Sequence, residues 1–181
     1  MITYKDSFKD RAKAGNPGED ACISYYEKKK GVHFIKYGLD LMDAVGVITG
    51  KDFVKMGSFV TATPDYITIG KSAKLVEAKY GGQVIRMKLK DLKEYYQWNK
   101  KMPVEIFCYS TKRKDFTQVR LEDIIHLIKK YKYPVEMYHD NGKEYYPIPF
   151  EDLKKYNTIR EDWKWDGKST WKTLLTSCQR S

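Results

Sequence analysis

The stretch Thr63-Pro64-Asp65-Tyr66-Ile67-Thr68-Ile69-Gly70-Lys71-Ser72-Ala73-Lys74-Leu75-Val76-Glu77-Ala78-Lys79-Tyr80 decides how this chain is read. β-Branched and aromatic residues flank the turn-forming Gly70-Lys71-Ser72, which predicts a hairpin with strands over Ser58–Ile69 and Lys74–Tyr80. A three-residue loop sets Ile69 opposite Ala73. Continuing that register one residue at a time brings Asp65 directly across from Glu77. Alternation along a strand then puts Leu75, Glu77 and Lys79 on one face, with Val76 and Ala78 on the other.

Two carboxylates in opposed positions, with Cβ atoms about 5 Å apart, repel each other unless a positive group lies between them. A divalent cation meets that need, because Mg²⁺ accepts one or two carboxylates and completes its shell with water and phosphate oxygens. Lys79 follows on the same face, within reach of a phosphate oxygen or an attacking water. Such a set suits phosphodiester hydrolysis. An acid two residues before a lysine is uninformative by itself, since Glu27/Lys29, Asp91/Lys93, Asp152/Lys154, Asp162/Lys164 and Asp166/Lys168 also satisfy it. Those pairs are expected on helices or in the polar tail, as solvated surface charges. Only Glu77-Ala78-Lys79 falls in a strand opposed by another acid.

Outward from the hairpin, a loop at Gly15-Asn16-Pro17-Gly18 precedes an expected helix over Glu19–Lys30, followed by a strand over Val32–Ile35. The stretch Gly38–Lys55 fits no single element. Beyond the hairpin, Ile85, Leu89, Leu92 and Tyr96 form an apolar stripe that predicts one helix over Gln83–Lys101, stopped by Pro103. Val104–Tyr109 is expected as a strand, and Leu121, Ile124, Ile125 and Ile128 mark another helix. Asp140-Asn141-Gly142 between Val135–Tyr138 and Glu144–Ile148 signals a second hairpin. The order predicts an α/β fold with a mixed sheet flanked by helices. The expected division is a core domain over 1–150 and a C-terminal extension over 151–181, which holds Trp163, Trp165 and Trp171 and packs on the core or on a partner.

Lys and Arg number 34 against 24 Asp and Glu, a formal net charge of +10 that favours polyanionic partners. Lys71, Lys74, Arg86, Lys90, Lys93 and Lys101 cluster around the hairpin and the following helix, as a candidate phosphate track on nucleic acid. Cys22, Cys108 and Cys178 are widely spaced and form no CxxC pair, and His33, His126 and His139 stand apart. Neither a zinc site nor a disulfide framework is indicated. The first twenty residues lack the apolar centre of a signal peptide, and no apolar run of roughly 18 residues is present. The expectation is a soluble, cytoplasmic protein with no membrane partner.

Thr63-Pro64-Asp65-Tyr66-Ile67 followed by Leu75-Val76-Glu77-Ala78-Lys79 resembles the signature of the PD-(D/E)xK nuclease superfamily, over roughly residues 15 to 110. The resemblance implies a restriction-endonuclease-like fold and a Mg²⁺-dependent endonuclease acting on DNA, with Mn²⁺ able to substitute. The nearest branch is that of the Holliday junction resolvases, which implies branched or structured duplex DNA and is compatible with a homodimer. A phage or mobile-element nuclease also fits this profile. Family members often carry a glutamate in the first helix that completes the metal site. Glu19 is similar to it, which makes Asp65, Glu77 and Glu19 the implied metal ligands. Many also place a glutamine on the helix after the lysine, and Gln97 resembles that residue, although Lys101 stands where a tyrosine would follow it. Glu19 equally suits a helix N-terminus and Gln97 a plain surface, while Asp20, Asp40 and Asp43 remain substitutes. The alternative function is a non-catalytic nucleic-acid-binding protein that retains this fold.

Overall fold

The computed structural model describes residues 16–37 and 63–157. Its elements run α1 (Pro17–Glu27), β1 (His33–Lys36), β2 (Tyr66–Ile69), β3 (Ala73–Gly81), β4 (Val84–Lys88), α2 (Leu89–Asn99), β5 (Val104–Ser110), β6 (Asp115–Arg120), α3 (Leu121–Tyr131), β7 (Glu136–Met137), β8 (Glu144–Pro149) and α4 (Phe150–Lys154). The tail tryptophans, the ambiguous stretch Gly38–Lys55 and the start of the first hairpin strand lie outside the described residues.

Five strands form a mixed sheet in the order β1-β2-β3-β5-β6. β1, β2 and β3 pair antiparallel, β3 and β5 run parallel, and β6 returns antiparallel to β5. Central β3 is covered on both faces, which is why Leu75-Val76-Glu77-Ala78 is buried without interruption. On one face, Cys22 and Tyr26 of α1 pack with Tyr66, Val76, Ala78 and Phe107. On the other, Leu75, Ile106, Cys108 and Val119 join Leu92 and Tyr96 of α2 and Leu121, Ile124 and Ile128 of α3 in the larger core. The protein is thus an α/β fold whose mixed sheet is flanked by helices, as the element order predicts.

The expected helix over Gln83–Lys101 is corrected. Val84–Lys88 is strand β4, and the helix begins only at Leu89. Ile85 and Met87 point into the core while Val84 and Arg86 face outward, a period of two. Ile85 and Leu89 satisfy both the helical and the extended period at that junction, and pairing of β4 with β8 decides between them. β4, β8 and β7 make a second, three-stranded sheet against the larger core. The chain reaches it through a tight turn after β3, where a Cβ on Gly81 would lie 2.1 Å from the Val84 carbonyl oxygen.

Strand β6 was not expected, and it completes the sheet edge next to β5. The hairpin around Asp140-Asn141-Gly142 forms, with Glu136 opposite Tyr145 and Gly142 at a φ of 65°. α4 buries Phe150 and Leu153 in the larger core, so the packed body continues past residue 150. Among the described residues, no helix is long and apolar enough to cross a membrane.

Candidate active site

The predicted hairpin register is the observed one: Ile69 pairs with Ala73, Thr68 with Lys74, Ile67 with Leu75 and Tyr66 with Val76. β2 ends at Tyr66, so Asp65 stands one residue beyond the last pair, at the open end of the hairpin, where the register continues to Glu77. Its side chain is held in place: Ala78 N–H donates to Asp65 Oδ2 at 2.9 Å. Glu77 is only 5% exposed, which distinguishes it from a solvated surface carboxylate.

Lys79 lies beside Glu77, with Nζ 2.6 Å from Glu77 Oε1. The same ammonium reaches Asp91 Oδ2 at 3.3 Å and donates to Tyr95 Oη at 3.3 Å. Asp91 and Tyr95 stand one turn apart on α2, which aligns them on the helix face towards β3. Neither belongs to the expected site. The sequence places Asp91/Lys93 among the charge pairs of an expected helix, which are ordinary solvated-surface features. With the helix starting at Leu89, Asp91 lies in its first turn and meets Lys79 of β3.

The electrostatics follow from this crowding. Burial and the neighbouring Glu77 carboxylate hold the Asp65 carboxyl well above the usual range, against the opposing pull of Lys79 and the Ala78 amide. For Lys79, burial alone would lower the ammonium, yet Glu77, Tyr95 and Asp91 together raise it well above the ordinary lysine value. It therefore stays charged at any working pH. Burial and the Glu77 carboxylate also push the Tyr95 phenol up. Lys88, half-buried just before α2, is lowered by burial.

Glu19 borders the cluster while serving its own helix. Asn16 caps α1, accepting from Gly18 N–H at 3.0 Å and Glu19 N–H at 3.2 Å, and Asn16 Nδ2 donates back to the Glu19 carboxylate. This end of α1 sits against the end of β3, where a Cβ on Gly18 would come within 2.9 Å of Tyr80 Cβ. From there Glu19 adds to the charges that raise Tyr66, Cys22 and Asp65, in each case after burial. Among the described residues, no group of three or more His, Cys, Asp or Glu side chains is gathered to hold a metal, so Asp65, Glu77 and Glu19 do not form the expected three-carboxylate set. Mg²⁺ takes one or two carboxylates, the number that Asp65 and Glu77 supply.

Gln97 is not brought to this cluster. It is exposed, and its Oε1 accepts from Lys100 Nζ at 2.9 Å. The helix turns Asp91 and Tyr95 inward, and Gln97 points to another side. The candidate phosphate track is also divided. Lys74 is bound to Glu105 at 2.7 Å, and with Lys71 it lies at the turn end of the hairpin beside α1. Arg86 sits over the rings of Tyr138 and Tyr145, at 5.7 and 5.4 Å from their centroids. Lys90, Lys93 and Lys101 are exposed on and just after α2. No protein-family model matches the chain, and neither a curated protein nor a solved structure matches it.

Proposed function

We propose that this protein is a Mg²⁺-dependent endonuclease that hydrolyses phosphodiester bonds of DNA, with branched or structured duplex as the substrate class. The observation that carries the reading is the placing of Asp65, one residue past the last pair of the central hairpin, where its register continues to the buried Glu77 beside a lysine held in its charged form. The mixed sheet with helices on both faces is compatible with a restriction-endonuclease-like fold.

In this reading Asp65 and Glu77 hold the cation, and Ala78 N–H keeps the Asp65 carboxylate oriented. Mg²⁺, when bound, supplies polarisation of the phosphate and an acidic bound water. Lys79 donates to a non-bridging phosphate oxygen and offsets the charge that develops in the transition state. Its ammonium, raised by Glu77, Tyr95 and Asp91, acts as a cation in this reading. Asp91 and Tyr95 position the ammonium without touching the phosphate. Asp65, pushed up by burial and by Glu77, would be eased towards its charged form by a cation held there.

The test incubates linear, circular and four-way-junction DNA with Mg²⁺ or Mn²⁺, beside Asp65→Ala and Lys79→Ala. Cleavage is expected to need the metal and to fall by roughly 10²-fold or more in each variant. Mg²⁺ should raise the melting temperature of the wild-type chain and not that of Asp65→Ala. Cleavage that survives both substitutions, or persists in chelator, rules the mechanism out. A second reading, a non-catalytic nucleic-acid-binding protein of this fold, is favoured by the engagement of Lys79 with two carboxylates and a phenol. DNA binding with no cleavage under any metal would select it.

A further inference from the structure

A cavity of about 810 Å³ opens at the other end of β3, between the last turn of α1 and the β2–β3 turn. Lys74, which lines it, precedes Lys79 by five residues, roughly 16 Å of strand, and faces the opposite side of the sheet. The cavity is therefore separate from the Lys79 cluster, and its argument does not depend on cleavage.

The charge around the opening is one-sided. Lys28, Lys29 and Lys30 come from the end of α1, Lys71 from the hairpin turn and Lys74 from β3. Among the described residues, the only carboxylate in the lining is Glu105, and Lys74 neutralises it. Lysines after a helix C-terminus also serve the helix dipole, which accounts for Lys28–Lys30 alone. Lys71 reaches the same opening from a different element.

The interior of the cavity is not a generic basic surface. Tyr25 and Phe116 line one wall, with ring centroids 4.9 Å apart, and Phe116 is backed by the buried Phe107, stacked at 5.0 Å. The floor is polar, with Gln118, Tyr26 and Glu105 buried: Gln118 Nε2 donates to both Tyr26 Oη and Glu105 Oε2, while the half-buried Lys74 donates to Glu105 Oε1. That network ties α1, β3, β5 and β6 together and holds the wall and rim in fixed relation. Cations at the mouth, a braced aromatic wall and space within the usual range of small-molecule sites match one ligand chemistry, a phosphate joined to a planar base.

We propose that this cavity binds a nucleotide, with its phosphate held by Lys28–Lys30 and Lys71 and its base against Tyr25 and Phe116. The nucleotide is either free or the 5′-phosphorylated end of a single strand, and the recognising chemistry is the same.

The full-length chain is titrated by calorimetry with AMP, inorganic phosphate and a dT oligonucleotide with or without a 5′-phosphate. A Lys28→Ala/Lys29→Ala/Lys30→Ala variant is compared with Lys112→Ala/Lys130→Ala/Lys155→Ala, which removes equal charge from exposed positions elsewhere. The first variant should lose affinity by about tenfold or more and the second by no more than about twofold. Saturable binding of AMP stronger than that of phosphate assigns a free nucleotide. Binding only by the 5′-phosphorylated oligonucleotide assigns a strand end. Backbone amide shifts should centre on Lys28–Val32 and Gly70–Lys74, and Asp65→Ala should bind like wild type even if the nuclease reading fails. Equal loss in the two triple variants, shifts centred on Lys79, phosphate binding as well as AMP, or no binding at millimolar ligand would each overturn the proposal.

Discussion

A lysine at each end of β3 meets a buried glutamate, Lys74 with Glu105 of β5 and Lys79 with Glu77, on opposite faces of the sheet, and the two pairs differ in how completely they are compensated. At the turn end, Glu105 is 3% exposed, and both its oxygens are bonded, one by Lys74 and the other by Gln118. At the open end, Glu77 shares Lys79 with Asp91, and Asp65 is forced towards its protonated form beside them. The first arrangement is complete as it stands. The second gathers Glu77, Asp91 and Asp65 around one lysine, a surplus of acid that the proposed cation would offset. A buried pair is thus poor evidence of function by itself, and the surplus around it is better evidence.

Breaking the compensated pair should have the largest effect on stability. Lys74→Met leaves Glu105 buried with half its partners and is expected to cost about 3 kcal/mol, read by urea denaturation, without changing cleavage per folded molecule. Glu77→Gln should cost less than about 1 kcal/mol, because it removes a charge that Asp65 opposes, yet it should abolish cleavage. If both variants destabilise equally and both cleave, the contrast between the two ends is wrong.

A pH series sharpens the same comparison with a smaller effect. Asp65 has a folded pKa raised above its unfolded value, so the native state binds its proton more tightly. Its contribution favours folding below the unfolded value and is lost as pH rises through the folded one. Asp65→Asn should therefore be the more stable protein at pH 8, with the gap closing as pH falls towards 4. A gap that widens on acidification would mean the carboxylate is compensated in the fold. The smallest effect belongs to the surface pair Lys154–Asp115, where both side chains are more than two-fifths exposed. Lys154→Ala should change stability by less than about 0.5 kcal/mol, and less still at high salt.

Much of the site was legible because its geometry is local. A three-residue turn sets the register of a hairpin, so the relation of Asp65 to Glu77 follows from spacing alone. The amphipathic run Leu121–Tyr131 likewise needs only its own periodicity, and its buried residues are those the pattern names, together with Leu127. Asp91 and Tyr95 were not legible, because their approach to Lys79 depends on where α2 begins. That start is determined by β4 pairing with β8, a strand some sixty residues further along the chain. Gln97 and Glu19 came from the resemblance; the fold leaves Gln97 at the surface and gives Glu19 a capping role as well.

By itself, then, the sequence determined the α/β class, the hairpin register and the placing of Asp65, Glu77 and Lys79 at its open end, since these rest on periodicity, turn length and side-chain alternation over a few residues. Tertiary structure alone decided which charges are compensated. It spent Lys74 on Glu105, turned Asp91 towards Lys79 and gathered Lys28–Lys30 and Lys71 around one cavity. These outcomes depend on contacts between residues distant in the chain, and no local pattern encodes which buried carboxylate a given lysine will meet.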